Sequence, residues 1–204
     1  MKNIKILTSM LIVLIFTAWF FFVKDVIGFE YRSFEGFGDL TGWEYTGFYL
    51  FENIFFNPFP QMKLFSNSTF YPFGINNVFM SWGLERDYFY ALFYSFFGTG
   101  PWLQIYFSIS FLISSLGVFI LTKNDFGHLK AFLAAIFVPF LNAYGINKYP
   151  GHYGISIIHW SQLSIICDFI ILFRFYNGKN ISIHIILLRL LFTVLSFGQE
   201  FGYI

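Results

Sequence analysis

The chain has 204 residues, of which 57% are hydrophobic, 25% are aromatic and 11% are charged. A water-soluble domain of this size could not bury so much apolar surface, so the composition indicates a membrane protein. The net charge of +1 without a basic stripe argues against a nucleic-acid partner, and the single cysteine, Cys167, excludes an internal disulfide.

The first predicted element is a membrane-spanning helix over residues 6–23. This uncharged run approaches the roughly 20 residues that cross a hydrocarbon core. Lys2 and Lys5 precede it, and no small-residue cleavage site follows, so we expect an uncleaved span with a cytoplasmic N-terminus.

A long extracytoplasmic segment, residues 24–100, is expected next. Within it, residues 43–56 place aromatic side chains near one helical face, which is typical of a helix lying at the membrane interface. We expect prolines at 58 and 60 to end that helix. A second short helix over residues 87–98 is expected to begin on Asp87 as its N-cap.

Four further spans are predicted over residues 102–122, 131–146, 153–175 and 181–203, with Pro139 expected to kink the second of them. The turns at 123–130 and 174–180 carry basic residues, which places them in the cytoplasm. The expected fold is therefore all-α: one polytopic transmembrane bundle of about five spans over residues 1–204, with short interfacial helices in its first outer loop.

Two charged residues lie deep inside predicted spans. Asp168 and Arg189 both sit roughly 12 Å from the cytoplasmic face, at a rise of about 1.5 Å per residue. An unpaired charge at that depth costs at least about 2.5 kcal/mol, so we expect the two residues to form an ion pair. The pair could serve as an interhelical staple, which we favour, or as part of an ion path.

Polar residues also mark the outer ends of the last two spans. His152, Ser156, His159 and Gln162 follow a spacing that places them on one helical face, while Gln199 and Glu200 end the last span. They could hydrogen-bond to a polar substrate or a phosphate, or join helices to each other.

Asp39 lies between Gly38 and the pair Thr41-Gly42 in the outer segment. Glycines let a backbone approach a ligand closely, and a carboxylate near an interfacial helix is partly desolvated and more basic. Asp39 is therefore a candidate general base, although Asp is also common in plain turns.

The chain resembles bacterial membrane glycosyltransferases of the GT-C superfamily, especially the YfhO-like and related branches. The resemblance covers most of the chain and is carried by "GDLTGWEY", "STFYPFGINNVFMSWGLERDYFYALFYSFFG", "GPWLQIYF" and "INKYPGHYGISIIHWSQL". It implies a multi-pass protein of a bacterial inner membrane that takes sugars from a polyprenyl-phosphate-linked donor and passes them to an acceptor whose identity stays open. It also implies that 204 residues are the N-terminal part of a longer protein.

By this resemblance the catalytic base falls on Asp39, with Glu44 as the second candidate. The acidic pair common in the family is absent at Asp39, whereas Glu85-Arg86-Asp87 reads E-x-D. The residues expected to bind substrate are Glu85, Arg86, Asp87, His152, His159, Gln199 and Glu200. No cofactor is implied with certainty, and the need for a divalent metal stays open. A transporter or channel module and a non-catalytic membrane fragment remain the alternative functions.

Overall fold

The computed structural model describes residues 2–24, 40–67, 72–79, 82–140 and 158–199. Helices hold 77% of these residues. The seven α-helices in the described part of the chain are α1 (Lys2–Phe22), α2 (Leu40–Asn53), α3 (Leu84–Phe97), α4 (Trp102–Phe126), α5 (His128–Phe140), α6 (His159–Tyr176) and α7 (Ile183–Phe197).

Two small hairpins between α2 and α3 correct the expectation of an all-α chain. Strands β1 (Ile54–Phe56) and β2 (Pro60–Met62) pair antiparallel, as do β3 (Phe65–Ser66) and β4 (Ile75–Asn76). A 3₁₀ turn, Asn77–Phe79, follows.

The first hairpin also ends the interfacial helix earlier than expected. Helix α2 stops at Asn53, so Phe55 and Phe56 lie on a strand and not on its aromatic face. Bulky residues such as Ile54, Phe55 and Phe56 suit a pleated strand. Pro60 pairs with Phe56 across the hairpin, and its missing amide hydrogen is tolerated at a strand edge.

Helices α4 and α6 run in the same direction. Tyr106, near the start of α4, contacts His159 at the start of α6, with ring centroids 6.4 Å apart. At the opposite end, Arg174 of α6 donates to Asp125 of α4 at 2.7 Å. Contacts at both ends therefore fix these two helices parallel.

Helix α7 runs antiparallel to α6. Gln199, just after α7, contacts the imidazole of His159 at 2.9 Å. Deeper along both helices, Arg189 donates to Asp168 at 3.0 Å, which confirms the predicted ion pair. The pair is partly exposed, with Asp168 47% and Arg189 38% accessible.

Helices α1 and α5 run opposite to α4. Phe22 stacks on Phe111 of α4 and contacts Phe140 of α5, with centroids 4.6 and 5.2 Å apart. Leu11 shares a core cluster with Val118 and Ala131, which lie towards the other end of the bundle. The five long helices thus alternate in direction along the chain.

This alternation gives the bundle two distinct ends. One end, which we call the basic end, contains Lys5, Lys123, Lys130, Arg174 and Lys179. The site end is the opposite one, formed by the starts of α4 and α6 and the ends of α1, α5 and α7. Helices α2 and α3 pack on the site end through an aromatic core that includes Trp43, Tyr90, Tyr106 and Phe107.

Within the described parts of the chain, two helical segments are long and apolar enough to cross a membrane, Ile4–Phe22 and Trp102–Phe126. They correspond to the first two predicted spans, and α4 runs four residues past the predicted residue 122. Helices α5, α6 and α7 occupy the other three predicted spans, and Pro139 lies within α5. Residues 141–146, 153–157 and 200–203 of those spans lie outside the described residues.

Candidate functional site

The start of α3 is one turn earlier than the sequence suggested. Gly83 is the N-cap and Leu84 is the first helical residue, so Asp87 is not the N-cap. Its carboxylate instead points back to the helix start and accepts a hydrogen bond from the amide of Gly83 at 3.0 Å. Asp87 therefore still satisfies a free amide at the helix start, from inside the first turn.

Asp87 and Arg86 form a buried ion pair beneath the site. The Nε of Arg86 donates to Asp87 at 2.9 Å, and both side chains are 1% exposed. Thr46 of α2 donates to the same carboxylate oxygen at 2.9 Å. Burial raises the pKa of Asp87 above its ordinary value, although Arg86 and the hydrogen bonds from Thr46 and Gly83 act in the opposite direction.

The guanidinium of Arg86 also lies over the indole of Trp43, with its Cζ 3.9 Å from the ring centroid. Such a cation–π contact joins α2 to α3 in a water-free environment. The sequence placed Arg86 among the residues expected to bind substrate. Its burial and its engagement by Asp87 and Trp43 favour a role in holding the two helices together.

Glu85 is the accessible carboxylate of this cluster. Its side chain is 31% exposed, in contrast to the buried Arg86, Asp87 and His159. The indole Nε1 of Trp160 donates to Glu85 Oε2 at 2.7 Å. His159 Nε2 approaches Glu85 Oε1 at 3.3 Å, within ion-pair range but outside hydrogen-bond geometry.

The imidazole of His159 is oriented by Gln199. The Gln199 side-chain nitrogen lies 2.9 Å from His159 Nδ1. Because an amide nitrogen can only donate, Nδ1 accepts, and the proton of a neutral imidazole sits on Nε2, facing Glu85. The edge of Tyr106 packs on the same imidazole, and its hydroxyl lies close to Glu85.

A close backbone approach ties the end of α7 to the start of α3. The amide of Glu85 donates to the carbonyl of Gly198 at 3.2 Å. A Cβ on Gly83 would lie only 2.9 Å from the carbonyl oxygen of Gln199 and 3.1 Å from Arg86 Cζ. Glycine at 83 therefore permits the contact that holds Gln199 against His159.

The structure thus gathers five of the residues expected to bind substrate: Glu85, Arg86, Asp87, His159 and Gln199. We call Glu85, His159, Trp160 and Gln199 the site cluster. Its members come from α3, α6 and the turn after α7, and they meet at the site end of the bundle. Its chemistry combines one accessible carboxylate with an oriented imidazole, a pair suited to accepting and relaying a proton.

The other predicted site residues do not join this cluster among the described residues. Glu44 is buried on α2, with 2% exposure. Asp39, His152 and Glu200 lie outside the described residues, and so does Ser156 of the polar stripe. Gln162, also of that stripe, accepts a hydrogen bond from Ser114 of α4, so it joins helices.

A cleft of about 430 Å³ lies between α2, α3 and the first hairpin. Its walls include Leu50, Met62, Leu64, Trp82 and Leu84, and Asp87 and Tyr88 contribute from α3. The cleft is therefore lined mainly by apolar side chains and adjoins the helix start that carries Glu85.

Sequence reasoning overlooked three side chains that build the site: Thr46, Tyr106 and Trp160. Trp160 directly follows the candidate His159 in the sequence, and this adjacency was the one feature that could have marked it as a site residue. Thr46 and Tyr106 carried no signal, because each meets its partner across a long sequence separation.

No group of three His, Cys, Asp or Glu side chains within the described ranges is arranged to hold a metal ion. Comparisons with protein-family models, with curated proteins and with solved structures found no match to this chain.

Proposed function

We propose that this chain is a membrane-embedded glycosyltransferase module of the GT-C type, with the site cluster on the extracytoplasmic face. The observation that carries the proposal is the accessible Glu85 carboxylate held by His159 and Trp160 at one end of an alternating helix bundle. The resemblance of the sequence to that superfamily supplies the reaction class.

The outer surface of the helices supports a lipid environment. Large apolar side chains on α1 are exposed, including Met10 at 59% and Val13 at 61%. Similar side chains are exposed along α5, at Leu129, Leu133 and Phe137. Soluble monomers rarely expose a contiguous apolar patch larger than a few hundred Å². We infer that α1, α4, α5, α6 and α7 belong to the five proposed spans.

The distribution of charge supports the proposed orientation. Lys5, Lys123, Lys130, Arg174 and Lys179 lie at the basic end, and Lys and Arg in short loops favour the cytoplasmic side. The site end then faces outwards. This is the side on which polyprenyl-linked donors are used by the superfamily that the chain resembles.

In the proposed reaction, a carboxylate takes the proton of an acceptor hydroxyl. The acceptor oxygen forms a bond to the anomeric carbon as the bond from that carbon to the donor phosphate oxygen breaks, and the polyprenyl phosphate leaves. Asp39 is the base that the resemblance implies. Among the described acids, Glu85 is the best placed, because it is accessible and oriented.

The neighbouring cleft supports a lipid-linked donor. Its apolar walls suit a hydrocarbon chain, and Asp87 and Leu84 bring it to the start of α3. A donor lying there would have its chain among Leu50, Met62 and Leu64, with its polar head towards Glu85.

The transporter alternative has weaker support. Transporters concentrate polar sites near the middle of the membrane. Here the site cluster lies at the helix ends, and the deep charges Asp168 and Arg189 pair with each other.

The test is a transfer assay in membrane vesicles containing the chain, with radiolabelled sugars linked to polyprenyl phosphate as donors and total membrane lipid as acceptor. We expect Glu85→Gln to lower transfer by roughly 10²–10⁴-fold, the contribution typical of a general base. The matched control is Glu52→Gln, which changes an exposed acid on α2.

Two results would contradict different parts of the proposal. Transfer by wild-type vesicles no greater than by vesicles lacking the chain would reject the enzymatic function. Wild-type transfer that survives Glu85→Gln but is lost in Asp39→Asn would reject Glu85 as base and keep the reaction class.

A further inference from the structure

The surface formed by α6 and α7 carries an ion pair where lipid would otherwise lie. Asp168 is 47% exposed and Arg189 is 38% exposed, although each lies well inside an apolar helix. A charged group facing hydrocarbon is costly even when it has one partner. The exposed pair therefore indicates that protein covers this face.

Apolar side chains flank the pair in a regular pattern. Four of the exposed apolar residues of α6 are spaced four, three and four apart, at Ile165, Phe169, Leu172 and Tyr176, and Phe175 is exposed as well. Five of the exposed apolar residues of α7 follow the same alternation, at Ile183, Leu187, Leu190, Val194 and Phe197, and Ile186 and Leu191 are exposed beside them. This is the seam spacing by which helices pack against other helices.

Both members of the pair keep bonding capacity for a further partner. Arg189 gives two hydrogen bonds to Asp168, at 3.0 and 3.4 Å. A guanidinium has five N–H donors, and a carboxylate can accept about four hydrogen bonds. A surface that offers both a positive and a negative group at the same membrane depth would complement both members of the pair.

We propose that a second copy of this chain covers the α6–α7 face. A two-fold axis along the membrane normal keeps every residue at its own depth, so Asp168 of one copy meets Arg189 of the other at the same level. The surface carries both charges and is self-complementary, as a two-fold interface requires. The four charges then alternate across the axis, shielded by the apolar seams on either side.

Cysteine cross-linking in intact membranes tests this interface. The native Cys167 is fully buried and is first replaced by alanine to remove background. We expect Ile165→Cys, at a position 66% exposed on α6, to yield a cross-linked species of twice the mass of one chain. The matched control is Val13→Cys, at a position 61% exposed on α1, which should remain single.

The charge requirement is tested by adding Asp168→Asn and Arg189→Gln together, so that no single charge is left behind. We expect the Ile165→Cys dimer band to fall to the level of the Val13→Cys control. A dimer band that is absent for Ile165→Cys, or equal in the two cysteine variants, would overturn the proposal. So would a band heavier than two copies, or a dimer unaffected by loss of both charges.

Discussion

The packing of α2 on α3 makes a quantitative prediction at Gly47. A Cβ built on Gly47 would lie 2.5, 2.6 and 2.7 Å from three atoms of the Tyr90 side chain. Ordinary contacts of this kind begin at 3.4 Å. Tyr90 is fully buried within the aromatic core that includes Trp43 and Leu103, so its ring has no free space to enter.

Gly47→Ala therefore forces α2 and α3 apart by close to an ångström. Overpacking of this kind typically costs about 1–3 kcal/mol. Alanine also favours a helix over glycine by up to about 1 kcal/mol, which offsets part of that cost. We expect a net loss of unfolding free energy of about 0–3 kcal/mol.

Gly42 on the same helix provides the control, because nothing lies within 4 Å of its added Cβ. Gly42→Ala keeps the gain in helix propensity and adds no clash. We expect it to be neutral, or stabilising by up to about 1 kcal/mol. The difference between the two variants then isolates the overpacking cost of about 1–3 kcal/mol.

The assay is equilibrium unfolding in mixed detergent micelles, followed by tryptophan fluorescence, with wild type, Gly42→Ala and Gly47→Ala measured side by side. Equal unfolding free energies for the two variants would refute the contact between Gly47 and Tyr90.

Four further variants probe the contacts that build the site, each by the same unfolding assay. Asp87→Ala removes the carboxylate of a buried ion pair and should lower the free energy of unfolding by about 3–5 kcal/mol. Thr46→Val removes one hydrogen bond to that carboxylate and should lower it by about 1.5–3 kcal/mol. Equal losses for the two variants would contradict the ion pair between Asp87 and Arg86. Trp160→Phe removes the indole N–H that donates to Glu85, so it should lower the free energy of unfolding by about 1.5–3 kcal/mol and also lower sugar transfer. Unchanged stability and transfer would show that this contact is absent. Gly83→Ala meets the backbone oxygen of Gln199 at 2.9 Å and should cost about 1–3 kcal/mol, and a neutral result would contradict that close approach.

The long helices were largely predictable from the sequence, because an uninterrupted apolar run of about 20 residues has the length of a helix that spans a bilayer. The Asp168–Arg189 pair was predictable for a related reason, since both charges lie at equal depth in neighbouring helices. The site-cluster residues Glu85, His159 and Gln199 were found as candidates because polar side chains stand out in an apolar chain.

Their mutual arrangement could not be predicted. Glu85 and Trp160 are 75 residues apart in sequence, and His159 and Gln199 are 40 apart. Only the alternating helix directions bring them together. The hairpins were missed because strands of two or three residues leave too short a pattern, and the aromatic run through Phe56 fits a helix equally well. The burial of Arg86 could not be predicted, because sequence alone does not reveal the covering indole of Trp43.

The most direct test of the central claim, that the site end faces outwards from the membrane, is the sidedness of labelling by a membrane-impermeant maleimide. Glu85→Cys and Lys179→Cys are each made in the Cys167→Ala background, since Lys179 is exposed at the basic end. The proposed orientation predicts that Glu85→Cys reacts in intact cells stripped of their outer layers, and that Lys179→Cys reacts only after the membrane is permeabilised. Labelling of both positions from the same side would contradict it.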